Sequence, residues 1–227
     1  MTLGKGAESN RGSQTGYAPI VMDADLLLRI YAAGAFPMWD EEFDEIRLFR
    51  PDPRAVLEFD SLHVPRRLRR AMRRGTLRLT TDQAFDRVLD ECHREREDGC
   101  WCSPAMAVAY SELHDRGFAH SIEAWNGEDL VGGLYGVHIG SAFMAESMFS
   151  RPGMGGTDAS KIVLVDLVAR LGVAGFTLFD VQFQNDHIRQ FGVVEIDGED
   201  YLDRFEAAAM SPCDWPSLDR DSAGPGP

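Results

Sequence analysis

The Asn126-Gly127 pair, flanked on both sides by runs of apolar and small residues between His120 and Phe149, restricts the fold more than any other feature. Asn-Gly tolerates the left-handed backbone of a tight turn whose twist suits antiparallel strands, so it predicts a hairpin. A strand over 120–125 and two more ending near Phe149 follow. Downstream, Leu164, Leu167, Val168 and Leu171 recur at i, i+3, i+4 and i+7. They predict a helix capped by Asp158 and ended by Gly172. A strand at about 177–183 and helices near 186–191 and 200–209 complete the chain. Upstream, Asp23 is a suitable N-cap for a helix carrying Leu27, Ile30 and Tyr31, which Gly34 and Pro37 stop. Further helices are expected at about 62–74, 82–97 and 104–116. A meander followed by strand–helix–strand makes this an α+β chain, with a mixed sheet and helices on its faces.

The 227 residues suffice for one large domain, or one with a small partner. Five acids crowd 40–45, and Pro51-Asp52-Pro53 then forces an extended or turning path. We expect a small N-terminal domain over 17–52 and the main domain over 53–210. The tails, 1–16 and 211–227, hold too few large apolar residues to order themselves, although Trp215 is a docking candidate. With 44% apolar and 26% charged residues the composition is that of a globular protein. No apolar run approaches the ~18–20 residues of a membrane span, and no charged-then-apolar leader is visible, so the expected address is the cytoplasm. Four cysteines (Cys92, Cys100, Cys102 and Cys213) are too few for a disulfide scaffold. The spacing of Cys100-Trp101-Cys102 does not match a zinc ligand pair, and no metal is expected. A net charge of −14 ordinarily argues against nucleic acid. The basic residues are almost all arginine, however, with only Lys5 and Lys161 as lysine, and they are unevenly placed.

Four constellations carry chemistry. Arg66, Arg67, Arg69, Arg70, Arg73 and Arg74 fall on an arc of about 160° of one helix, opposite Val64, Leu68, Ala71 and Met72. Such like charges repel, so they need nearby carboxylates or a polyanion. A solvated face paired with acids and a phosphate-binding face both fit. Asp180 and Gln182, two apart on a strand, share one face at a strand end where open sheets place ligands, while Phe179, Val181 and Phe183 point to the buried side. An Asp that merely caps the next turn fits too. Glu146, between apolar residues of an inner strand, must find an arginine, a ligand amine or a proton. The glycines of 150–161 match neither a Walker A loop nor the Arg/Gln-x-x-Gly-x-Gly cradle of acyl-CoA acetyltransferases, and read as a flexible lid. His63, His93 and His120 show no nucleophile-and-acid spacing and read as structural.

Several motifs, taken in order, resemble one family. They are Gly34-Ala-Phe-Pro-Met-Trp39, Pro51-Asp-Pro-Arg-Ala-Val-Leu57, Gly117-Phe-Ala-His-Ser-Ile-Glu123, Val131-Gly-Gly-Leu-Tyr-Gly-Val137, Glu146-Ser-Met-Phe-Ser-Arg151, Ala159-Ser-Lys161 and Asp180-x-Gln182-x-x-Asn185-Asp-His187. Over about 22–206 the chain resembles leucyl/phenylalanyl-tRNA–protein transferases. The resemblance implies a bacterial cytoplasmic enzyme, usually monomeric, with a small N-terminal domain before a GNAT-like domain and no metal or CoA. It would move leucine or phenylalanine, with methionine as a further candidate, from aminoacyl-tRNA to the N-terminal Arg or Lys of a protein, marking it for degradation. By the same resemblance Asp180 and Gln182 form the catalytic pair, with Glu146 and Asn185 beside them. Met38, Trp101, Leu134, Phe143, Met148, Leu164, Leu167 and Phe179 form the side-chain pocket, with Tyr31 near the terminal adenosine. Arg66, Arg70, Arg73 and Arg74 form the tRNA patch. Met38 stands where the family commonly has tryptophan, and Leu48-Phe49-Arg50 replaces a Trp-Trp-Ser run. Strand parity sets Phe143 opposite Met148, so a β-bulge is needed if both line one pocket. The rival readings are a CoA-dependent acetyltransferase, a noncatalytic reader of basic N-termini, and a sister transferase acting on acidic N-termini.

Overall fold

Asp23 opens the first helix as expected: its carboxylate accepts the Leu26 N–H at 2.7 Å. The computed structural model describes residues 22–40, 42–94 and 102–216. Helix α1 (Ala24–Ala32) leads into a hairpin of β1 (Phe36–Asp40) and β2 (Glu45–Phe49), then β3 (Arg54–Leu57) and a short 3-10 turn at Phe59–Ser61. Next come α2 (Arg66–Arg74), β4 (Arg78–Thr81), α3 (Phe85–His93) and α4 (Pro104–Asp115). The meander is β5 (Ala119–Asn126), β6 (Asp129–Ile139) and β7 (Ala142–Ser150). The chain continues through α5 (Ala159–Ala174), β8 (Leu178–Gln182), α6 (Asp186–Arg189), β9 (Val193–Ile196) and α7 (Gly198–Ala209).

Among the described residues, strands β1 and β2 pair only with each other, while the other seven form one sheet in the order β4-β5-β6-β7-β8-β3-β9. Every neighbour is antiparallel except β7 and β8, which run parallel because α5 crosses over between them. The mixed sheet read from the sequence is therefore observed. One face carries α1, α3, α4 and α7 over Tyr31, Val88, Met106, Tyr135 and Met144. The other carries α2, α5 and α6 over Ile122, Leu134, Phe143 and Phe179. Gly127 sits at φ +62 between the paired residues Asn126 and Asp129, which is the tight turn its sequence predicts.

Five strands of the described residues escape the sequence reading (β1 to β4 and β9), because each has only four or five residues and shows little alternation. Three local expectations are corrected. Asp158 stands at the start of α5 but does not cap it; it holds Lys161 at 2.9 Å, and the Ser150 hydroxyl accepts the Ser160 N–H instead. Gly172 does not end α5, which runs two residues further and stops at Gly175, φ +94. The loop after Arg151 is pinned rather than lid-like. Gly156 packs so closely that an added Cβ would lie 2.3 Å from the Val131 carbonyl oxygen, and Asn126 donates to the Met154 carbonyl at 3.0 Å.

Candidate active site

Strands β7 and β8 pair over only three rungs, Ala142–Leu178, Phe143–Phe179 and Met144–Asp180, and then part. Two backbone irregularities open the gap. On β7, Gly136 faces Ala145 and Tyr135 faces Ser147, which leaves Glu146 as the extra residue of a β-bulge. On β8, Gln182 takes φ +64, a conformation unusual for a side chain of its size. Across the opening the Gln182 Nε2 donates to Glu146 Oε1 at 2.7 Å. The bulge brings Phe143 and Met148 into the same apolar layer as Leu134, although only Met148 lines the cavity described below.

Among the described residues Glu146 meets no arginine. Tyr110 donates to its Oε2 at 3.3 Å, and the Tyr31 and Tyr110 hydroxyls meet at 2.7 Å. Burial pushes its carboxyl up to about 7, helped by the charge of Asp180 and opposed by hydrogen bonds from Tyr31, Gln182 and Tyr110. Burial raises the hydroxyls of Tyr31 and Tyr110 well above their ordinary range, so both stay protonated donors.

Asp180 is fully buried and saturated. Its Oδ1 accepts from Arg54 Nε and the Gln182 N–H at 2.9 and 2.8 Å. Its Oδ2 accepts from Arg54 Nη2 and the Tyr201 hydroxyl at 2.5 and 2.9 Å. Arg54, only 1% exposed, also donates to the Gly34 carbonyl at 3.3 Å. With four donors in place, Asp180 cannot take a proton from a substrate without breaking an ion pair; it fixes Gln182 through the backbone. Both the side-by-side placement of Asp180 and Gln182 and the alternative of a turn-capping Asp are thus realised in one residue. Arg54 and Tyr201 were missed by the sequence reading. A charged residue heading a strand that is buried at every position was the available signal.

Beside Glu146 lies a cavity of about 1050 Å³. Its apolar wall is Leu134, Ala145, Met148, Leu164, Val181 and Ile188; its polar wall includes Glu91, Glu146, Arg151, Lys161, Asn185 and His187. Of the residues read from the sequence, Glu146, Leu134, Met148, Leu164 and Asn185 meet there. Asn185 also caps α6, accepting the His187 and Ile188 N–H groups at 3.0 Å each. Arg151 pairs with Glu91. Burial lowers His187, which favours its neutral form.

Other residues lie elsewhere. Phe143, Leu167 and Phe179 are buried behind the wall, within the layer between sheet and α5, and do not line the cavity. Met38 sits on β1 against the opposite apolar cluster. Tyr31, 1% exposed, has no ring face to offer an adenosine and instead supports Glu146 through its hydroxyl. Phe183 is 44% exposed rather than buried, because the turn at Gln182 ends the alternation. Trp101 lies outside the described residues. His63, His93 and His120 are hydrogen-bonded to the Gln190 carbonyl, the Tyr135 hydroxyl and Asp82, each at 2.8 Å, as structural histidines.

Helix α2 carries its six arginines on exposed positions while Leu68 is buried. Among the described residues none of the six is in an ion pair; Arg69 donates only to the Val64 carbonyl, at 3.1 Å. Arg66, Arg69, Arg70 and Arg73 line a shallow cleft of about 150 Å³. The arginine helix and the cavity lie on the same face of the sheet, the one covered by α5.

The chain matches the family model described as leucyl/phenylalanyl-tRNA protein transferase over residues 56–206. It is 42% identical over 206 residues to the leucyl/phenylalanyl-tRNA–protein transferase of Salinibacter ruber, covering 90% of this chain and 88% of that one. The enzyme of the same name from Hyphomonas neptunium is 44% identical over 88% of this chain and 76% of its own. That from Caulobacter vibrioides is 43% identical over 88% and 92%. Agreement of this extent bears out the resemblance carried by the motifs, and the chain belongs to the leucyl/phenylalanyl-tRNA–protein transferase family.

Proposed function

We propose that this chain moves leucine or phenylalanine, with methionine a further donor, from aminoacyl-tRNA to the N-terminal Arg or Lys of proteins destined for degradation. The observation that carries this reading is the Glu146–Gln182 couple at the edge of a cavity whose apolar wall suits such a side chain. On the same sheet face Arg66, Arg70, Arg73 and Arg74, which meet no carboxylate among the described residues, suit tRNA phosphates. Leu134, Met148 and Leu164 hold the esterified side chain, and the volume beyond them takes the terminal nucleoside with Asn185 nearby. The finer architecture is a GNAT-like domain over 53–210 behind a small N-terminal domain over 17–52. Support comes from the parting of two parallel strands at the site and from the separate β1–β2 sheet. The enzyme works as a cytoplasmic monomer, without metal or CoA.

In the transfer, the acceptor nitrogen attacks the ester carbonyl carbon, the C–N bond forms, and the bond to the ribose 3′-oxygen breaks. The nitrogen gives up one proton and the 3′-oxygen gains one, so the reaction consumes none. An ionised Glu146 only accepts, so it holds the Gln182 NH₂ group and turns the Gln182 carbonyl oxygen toward the amine. That oxygen orients the lone pair. A free α-amine at ~7.7–8.0 is partly neutral already, so positioning supplies most of the acceleration. Glu146, near neutrality, is the group suited to pass the proton, and the neighbouring ribose hydroxyl or water serves the leaving oxygen. Asp180, locked by Arg54 and Tyr201, is a positioning residue.

Labelled leucine, phenylalanine and methionine, offered on tRNA to peptides beginning with Arg, Lys, Asp or Glu, test the reading. Transfer to the Arg and Lys peptides is expected, with Gln182→Ala reducing it at least a hundredfold. Binding of the basic peptides without transfer would make the chain a reader, and transfer to Asp or Glu peptides would make it the sister enzyme.

A further inference from the structure

Phe183 sits in a strained turn beside the proposed reacting groups. Its N–H donates back to the Val181 carbonyl at 2.7 Å across Gln182, whose φ is +64. A three-residue turn of this hand is rare and costs energy. It swings the Phe183 ring off the strand and onto the β1–β2 hairpin. There the ring lies edge-on to Phe36 at 5.6 Å and to Phe49 at 6.4 Å, and remains 44% exposed. Phe36 and Phe49 are themselves directly paired across the hairpin, with ring centres 6.0 Å apart. Phe36 by itself closes this end of the hairpin onto the core, since it is 1% exposed. Phe183 thus joins the hairpin to β8 while keeping part of its ring in solvent next to Gln182.

The same hairpin face continues outward. Arg47 shares it with Phe49, pairs with Asp40 and Glu45, and lies 4.5 Å over the Phe43 ring at the tip. Glu42 and Asp44, also at the tip, have no ion pair among the described residues. From Gln182 the surface is thus aromatic first and anionic beyond, over roughly the 16 Å of a five-residue strand.

We infer that this stripe binds the acceptor polypeptide just past its N-terminal residue. The second side chain packs on Phe183 and Phe49, and the acids at the tip favour a cationic segment. The inference rests on the proposed transfer to Arg or Lys N-termini and adds a preference for apolar second residues. An apolar side chain half-covered by such rings is worth about tenfold in binding.

The test is steady-state transfer from leucyl-tRNA to argininamide and to a series of Arg-X peptides with X = Phe, Leu, Gly or Asp. For the wild type, kcat/KM is expected to be roughly tenfold higher for Phe and Leu than for Gly, lower still for Asp, with the difference in KM. Phe183→Ser should compress the series to less than threefold, read as the ratio of Phe and Leu to Gly within the variant, with argininamide as the acceptor that has no second residue. Phe183→Leu should keep most of the preference. A flat series in the wild type, or an unchanged preference in Phe183→Ser, overturns this inference and leaves the transfer reading standing. Absence of transfer even to argininamide overturns both.

Discussion

On the proposed mechanism Glu146 joins two opposed requirements: it is to be charged to hold Gln182 in the useful orientation, yet it lies where charge is costly. Its ordinary value of 4.5 is raised to about 7. Between those values the folded protein keeps a proton that the unfolded chain has lost, so the fold weakens as pH rises from about 5 through 7. Glu146→Gln removes that loss. Its unfolding free energy relative to wild type should grow by about 2 kcal/mol between pH 5 and 8 in urea titrations. The same variant cannot fix the Gln182 amide by charge, so transfer should fall ten- to a hundredfold. The wild-type rise in kcat/KM through pH 7 should vanish, leaving only the ionisation of the acceptor amine. Arg54→Ala should be worse for stability, by about 3–5 kcal/mol in thermal unfolding, because it strips two of the four donors from a buried charge. Alternation made the pairing of Asp180 with Gln182 legible in sequence. The partner 126 residues away was not legible, because nothing local specifies which buried charges meet.

Elements with strong local signals were legible and elements without them were not. The Asn126-Gly127 hairpin and the apolar stripe of α5 appear where expected, since each is fixed by its own residues. Strands β3 and β9 exist because they complete a sheet, so their pattern carries little of the information. The bulge at Glu146 was accessible only as a condition: two residues of opposite parity belong in one layer if an extra residue intervenes. The face of helix α2 was legible, as six exposed arginines over one buried leucine, but its start was not: the helix begins at Arg66, after Pro65, and leaves Val64 outside it. Replacing Arg66, Arg70, Arg73 and Arg74 with Gln should leave stability within about 0.5 kcal/mol, because exposed charges with no ion-pair partner among the described residues contribute little. Binding of leucyl-tRNA, measured by filter retention across a salt series, should weaken at low salt. Its log–log slope should fall by roughly 0.7–0.9 for every phosphate that an arginine no longer neutralises.

For the whole molecule, a net charge of −14 beside the cationic ridge of α2 means, on the proposed reading, that tRNA is repelled from most approaches and admitted along that ridge. The far end of the chain contributes to the same body. Trp215 stacks on His120 at 4.1 Å and on Phe143 at 5.4 Å, while the Cys213 thiol donates to the Ala174 carbonyl at 3.2 Å. The sequence marked Trp215 as a docking candidate, and it docks; residues 217–227 lie outside the described residues. Trp215→Ala should cost about 2–3 kcal/mol, seen as a lower urea midpoint with an unchanged slope.

The Asp180 carboxylate gathers Arg54, whose guanidinium touches Gly34, and Tyr201 from α7. A nascent chain emerging from the ribosome therefore lacks the complete anchor for Gln182 until Tyr201 has been made. A fragment ending before Tyr201 keeps Arg54 on Asp180 but loses the hydroxyl that Oδ2 accepts at 2.9 Å, so its transfer activity is expected to fall.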